Sequence, residues 1–130
     1  MDKKIYSSAE LNEQLNEVRN LAKQSIVGIM RKHNVKSADF LLDEDGRNYD
    51  DDEYDDDFVY DNRVWTECYG KYNNETGYIS LVEIDDADNI KITAEGEDGT
   101  YPTDYVCHST GVYVDILEHI QFMENKGILK

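Results

Sequence analysis

The run Tyr78-Ile79-Ser80-Leu81-Val82-Glu83-Ile84-Asp85-Asp86-Ala87-Asp88-Asn89-Ile90-Lys91-Ile92-Thr93-Ala94-Glu95 decides the architecture. Ile90, Ile92 and Ala94 alternate with Lys91, Thr93 and Glu95, the period-two pattern of a strand with one buried face. Tyr78 to Ile84 is the strand before it. The Asp- and Asn-rich link from Asp85 to Asn89 suits a tight turn and is far too short for the crossover that parallel strands require. The two strands are therefore expected to pair antiparallel.

Working outward, Arg63 to Tyr72 is rich in Val, Trp, Tyr and Thr and reads as the preceding strand, joined through Asn73-Asn74-Glu75-Thr76-Gly77. Glu95 to Pro102 is polar and Gly-bearing and reads as loop, after which Tyr105-Val106-Cys107 can add a short strand. Ser7-Ser8-Ala9-Glu10 has the spacing of a capping box, and Leu11, Leu15, Val18, Ala22, Ile26 and Ile29 recur at helical steps up to a stop near His33-Asn34. A second amphipathic helix begins at Ser109 or Thr110, carries Val112, Tyr113, Ile116, Leu117, Ile120 and Met123 on one face, and stops at Asn125-Lys126-Gly127. Ala38 to Leu42 fits an edge strand or a loop. The fold class expected is α+β: an N-terminal helix, an antiparallel meander of three to four strands, and a C-terminal helix, with both helices on one face of the sheet. Leu15, Ile26, Ile116 and Ile120 are expected in the core. Residues 1–130 read as a single domain, with an acidic loop at about 43–57.

Charge is the second strong signal. Among 130 residues there are 13 Lys and Arg against 29 Asp and Glu, a formal net charge of −16. Such a chain repels phosphate backbones and anionic membrane surfaces, which argues against direct nucleic-acid or membrane binding. The charge is also uneven: residues 37–61 hold ten Asp and two Glu against Arg47 alone, whereas residues 1–36 are mildly basic. Crowding of like charges is expected to raise some carboxylate pKa values, so that stability grows as pH falls modestly below neutral. No apolar leader and no run long enough to span a bilayer is visible, so the cytoplasm is the expected compartment.

Metal and nucleophile motifs are not met. With Gly46 at position six of a calcium loop, Leu41 falls where the first carboxylate is needed, and Asp52 where the bidentate Glu belongs. The adjacent pair Cys107-His108 on a strand would point to opposite faces, which defeats a shared zinc ion. Cys68 with His108 or His119 could form a thiol–imidazole pair only if folding joined them, and a dense acidic field would raise the thiol pKa. No metal, cofactor or catalytic residue is expected, and an enzyme is the weaker reading.

The unusual feature is the interleaving of Tyr and acid in Tyr49, Asp50, Asp51, Asp52, Glu53, Tyr54, Asp55, Asp56 and Asp57. Carboxylates steer a basic partner, and tyrosines supply desolvated contact once it docks. The expectation is a small acidic protein-binding or inhibitor module that engages a basic protein, with a nucleic-acid enzyme as a natural partner class. Its Lys/Arg-lined groove accepts carboxylates in place of phosphates, in the manner of DNA mimics and nuclease-immunity proteins. That likeness is one of charge alone. The alternatives are an assembly subunit that self-associates through its Tyr-rich surface and, less favoured, a small enzyme. Should the acidic run not carry binding, Trp65, Tyr69 and Tyr78 are the next residues to consider.

Overall fold

The computed structural model describes residues 8–42, 45–46, 63–69, 75–96 and 99–129. They form α1 (Ser8–Lys32), β1 (Ser37–Asp39), β2 (Trp65–Cys68), β3 (Glu75–Ile84), β4 (Ile90–Gly96), β5 (Gly99–Tyr101), a 3-10 turn at Thr103–Tyr105, and α2 (Thr110–Lys126). The α+β order of helix, antiparallel sheet and helix is the one read from the sequence. Every strand pairing is antiparallel, and β1 and β2 lie end to end along the same flank of β3, opposite β4. Buried side chains of both helices and of the sheet form one continuous cluster, with Ile26, Met30, Phe40, Ile79, Val82, Ile92, Ile116, Ile120 and Met123 at its centre.

Element ends follow local chemistry. Asn34 turns α1 off with φ +56°, and the Val35 N–H reaches back to the Met30 carbonyl at 3.0 Å. Gly127 does the same for α2 with φ +72°, and Ile128 N–H bonds Met123 O at 3.0 Å. Both are left-handed caps that satisfy carbonyls a helix leaves unpaired. At its other end α2 is capped by Ser109, whose hydroxyl accepts from Val112 N–H at 3.3 Å.

Several sequence expectations change. Ser80 is an extra residue in β3, since Ile79 pairs with Ala94 while Leu81 pairs with Thr93. Strict alternation would send Ile79 and Val82 to opposite faces; the bulge turns both into the core. Residues 75–77, expected in a connection, belong to β3. The upstream strand is shorter than Arg63 to Tyr72, and residues 70–74 lie outside the described set. Gly99–Tyr101, read as loop, is β5: Tyr101 is fully buried and stitches the hairpin to the core. Ala38 to Leu42 resolves into β1 followed by a turn, with Phe40 N–H on Ser80 O at 2.9 Å.

Beyond β5 the chain folds back over the far edge of β2, where Val106 bridges Cys68 and Cys107 N–H donates to Glu67 O at 2.8 Å. The sheet thus curls around Tyr101, with little bare edge at this end.

The helices run parallel. Thr110 Oγ1 donates to Leu15 O at 2.9 Å near their N-terminal ends, and Lys32 and His33 meet Glu124 at 3.1 and 2.8 Å near their C-terminal ends. This register overturns one core expectation: Leu15 is exposed, as is Leu11, because the first turns of α1 extend past the start of α2; Val18 and Leu21 are exposed as well. Ile26, Ile116 and Ile120 are buried as expected.

Candidate functional site

Tyr49, Asp50, Asp51, Asp52, Glu53, Tyr54, Asp55, Asp56 and Asp57 lie outside the described residues. Trp65, Tyr69 and Tyr78 lie within them, and the fold brings them together. Trp65 and Tyr69 alternate outward along β2 while Thr66 and Cys68 point inward. Trp65 is paired in register with Tyr78, their rings meeting edge to face at 5.9 Å, and the Arg63 guanidinium lies 3.8 Å from the centre of the Tyr78 ring. The stacked cation, Tyr and Trp hold one another in place, and the Tyr78 hydroxyl donates to Glu95 Oε2 at 3.4 Å.

A shallow groove runs between this strand and α2. One stretch, of about 400 Å³, is lined by Arg63, Trp65, Asp115, Glu118, His119 and Phe122. The next, of about 580 Å³, takes in Glu67, Tyr69, Thr76 and Cys107. Trp65 and Asp115 belong to both, so the stretches are continuous. Asp115, Glu118 and Phe122 recur at three- and four-residue steps, which places them along one side of α2. Three carboxylates therefore line a groove whose walls carry Trp65 and Tyr69, 41% and 40% exposed.

At its far end Tyr69 Oη lies 3.1 Å from Glu67 Oε2 and 3.1 Å from Cys107 Sγ. The phenol O–H is the donor to both, its single proton shared between the carboxylate and the sulfur. Contact with Cys107 and then Glu67 pushes the Tyr69 pKa far above the ordinary phenol value, which keeps it a neutral donor. Cys68 is buried against Gly77, and Cys107 faces the groove, so these neighbouring thiols sit on opposite sides of the sheet.

The histidines divide differently from the thiol–imidazole alternative. His108 places one ring nitrogen 2.7 Å from Tyr113 Oη and the other 2.8 Å from Thr103 O, a structural clamp between the 3-10 turn and α2. His119 packs against Phe40 at 4.5 Å and Phe122 at 5.8 Å, and burial lowers its pKa to about 4. It is a neutral ring with Nε2 unpartnered among the described residues. Among the described residues no group of three or more His, Cys, Asp or Glu is placed to hold a metal ion, and no helix is long and apolar enough to cross a membrane.

Several cations find partners at the surface away from the groove. Arg31 pairs with Asp88 at 2.7 Å, Lys32 with Glu124 at 3.1 Å and Lys36 with Asp86 at 3.2 Å. Arg19 donates to His108 O at 3.2 Å, and Lys23 lies 5.3 Å from the centre of the Tyr113 ring. None of these five cations lines the groove, where Arg63 is the basic residue.

Sequence reasoning ranked Trp65 and Tyr69 second and passed over Glu67, Asp115 and Glu118. Only the last two left a trace, as acids three apart beside the apolar stripe of α2. Comparison with protein-family models, curated proteins and solved structures finds no match.

Proposed function

We propose that this chain is a small acidic protein-binding module, of inhibitor type, that receives a basic partner in the groove between β2 and α2. The observation that carries the reading is the union of half-exposed Trp65 and Tyr69 with Glu67, Asp115 and Glu118 in one groove. Aromatic side chains bury large area at little conformational cost, and the carboxylates attract a Lys/Arg-rich surface and orient it. The net charge of −16 extends that attraction well past the contact. Arg19, Lys23, Arg31, Lys32 and Lys36 are engaged elsewhere and do not line the groove, which leaves three carboxylates there against Arg63 alone among the described residues. The acidic run from Asp50 to Asp57 adds to the same field from the sequence alone. A nucleic-acid enzyme is the natural partner class, because its substrate groove already binds a row of anions.

The test is capture of partners on the immobilised full chain, with Trp65→Ala and Asp115→Asn chains in parallel. The reading expects a basic protein that elutes with moderate salt, is displaced by duplex DNA or by RNA, and is lost from both variants. Equal capture by all three chains, or a partner that nucleic acid fails to displace, would refute the groove or the partner class respectively.

A further inference from the structure

A second surface stands apart from the groove. Leu11, Leu15 and Val18, 46%, 52% and 45% exposed, lead into the apolar stripe that Ala22, Ile26 and Met30 bury farther along α1, and Leu21, 62% exposed, widens this apolar surface on the side away from Ile26. At Leu11 and Leu15 the stripe outruns its cover, because Thr110, the first residue of α2, sits beside Leu15; Val18 and Leu21 are exposed by their place around the helix. One flank of the exposed stripe is turned toward α2 by Arg19 and Lys23, which engage His108 O and the Tyr113 ring. The other flank carries Glu10, Glu13 and Glu17 at three- and four-residue steps, all exposed. Among the described residues Glu13 and Glu17 take part in no ion pair.

We infer that the N-terminal half of α1 docks a basic amphipathic helix of a partner protein. The partner lays aliphatic residues at helical spacing on Leu11, Leu15, Val18 and Leu21, and Lys or Arg beside them on the glutamate ridge. Helix-on-helix packing of this kind uses just such a stripe of anchors. Charge selects the occupant. A second copy brings another −16, and an antiparallel two-fold pair would set glutamate ridge against glutamate ridge. A parallel pair would set that ridge against Arg19 and Lys23, which α2 already engages. A basic helix meets neither obstacle. The surface contains none of the groove residues, so the inference stands independently of the groove.

The experiment uses the full chain and an eighteen-residue amidated Leu/Lys peptide whose leucines fall at helical spacing, with a control of identical composition whose leucines do not. Titration calorimetry should show the patterned peptide binding at least about tenfold tighter than the control. Leu15→Ser and Leu21→Ser should each weaken it by about fivefold or more. The pair Glu13→Gln and Glu17→Gln should flatten its salt dependence. The variants alter exposed side chains, and circular dichroism reports whether the helix is intact. Equal binding of both peptides, or indifference to Leu15→Ser in a folded chain, overturns the inference. So does a dimer in sedimentation that Leu15→Ser disperses, which would make a second copy the occupant. Leu15-dependent partition onto phosphatidylcholine vesicles would make it a lipid surface and overturn it equally.

Discussion

Gly77 on β3 and Glu95 on β4 approach so closely that a β-carbon on Gly77 would lie 2.9 Å from the Glu95 carbonyl oxygen. The same carbon would meet the Tyr101 ring at 3.2 Å and the Cys68 sulfur at 3.3 Å. Backbone on one side and a fully buried ring on the other leave nothing free to yield. Gly77→Ala should therefore cost about 1–3 kcal/mol in urea unfolding. Gly28, on the exposed side of α1 with nothing within 4 Å of an added carbon, is the control. Gly28→Ala should stabilise by about 0.5–1 kcal/mol through helix propensity. A Gly77→Ala chain as stable as wild type would show that the sheet does not close on Tyr101 as described.

His119 sets a pH dependence. Its folded pKa, about 4, lies below the ordinary imidazole value of 6.5, so the unfolded chain binds the extra proton first. Stability from this group is complete above pH 6.5 and is lost as pH falls toward 4, by about 1–2 kcal/mol at pH 5. Glu124, lowered by His33 and then Lys32, and Asp85, lowered by Asn89, act in the same direction at lower pH. Among the described residues the resolved carboxylate shifts thus run opposite to the rise expected from crowding. Urea melts at pH 7 and pH 5 should show a loss that His119→Phe reduces; a gain at pH 5 would mean carboxylate repulsion dominates.

Asp85 organises the β3–β4 turn. Its Oδ1 accepts from Ala87 N–H and Asn89 N–H, each at 2.9 Å, and Asp88 beyond it adopts φ +63° under the Arg31 guanidinium. Asp85→Ala should release the Ala87 and Asn89 amides to fast hydrogen exchange, while Ile92 N–H, held by Thr103 Oγ1, stays protected. Unchanged exchange at Asn89 would show that backbone bonding alone shapes the turn.

The groove makes two separable kinetic predictions for any captured basic partner. Replacing Glu67, Asp115 and Glu118 by their amides should slow association and flatten its salt dependence. Trp65→Ala should chiefly speed dissociation, by roughly 1–2 kcal/mol if Trp65 is an anchor. Stopped-flow mixing at several salt concentrations separates the two. An association rate indifferent to the triple change would remove the groove carboxylates from the encounter.

What the sequence by itself determined was local. Period-two alternation from Ile90 to Glu95, the 3.6-residue spacing through Ile26 and Ile116, and the stops at Asn34 and Gly127 are properties of neighbouring residues, so the α+β class and its element order were legible. The net charge was legible too, because it needs only counting. Tertiary structure decided the rest. Whether Leu15 is core or surface depends on where a helix ninety-five residues later begins, and periodicity is identical in either case. The face chosen by Val82 depends on one bulged residue, Ser80, which no local preference announces. Glu67 and Asp115 became parts of one site because β2 and α2 pack side by side; forty-eight residues apart in sequence, they share only a charge sign. Local order is encoded in short-range pattern, whereas a site between elements exists only once their relative placement does.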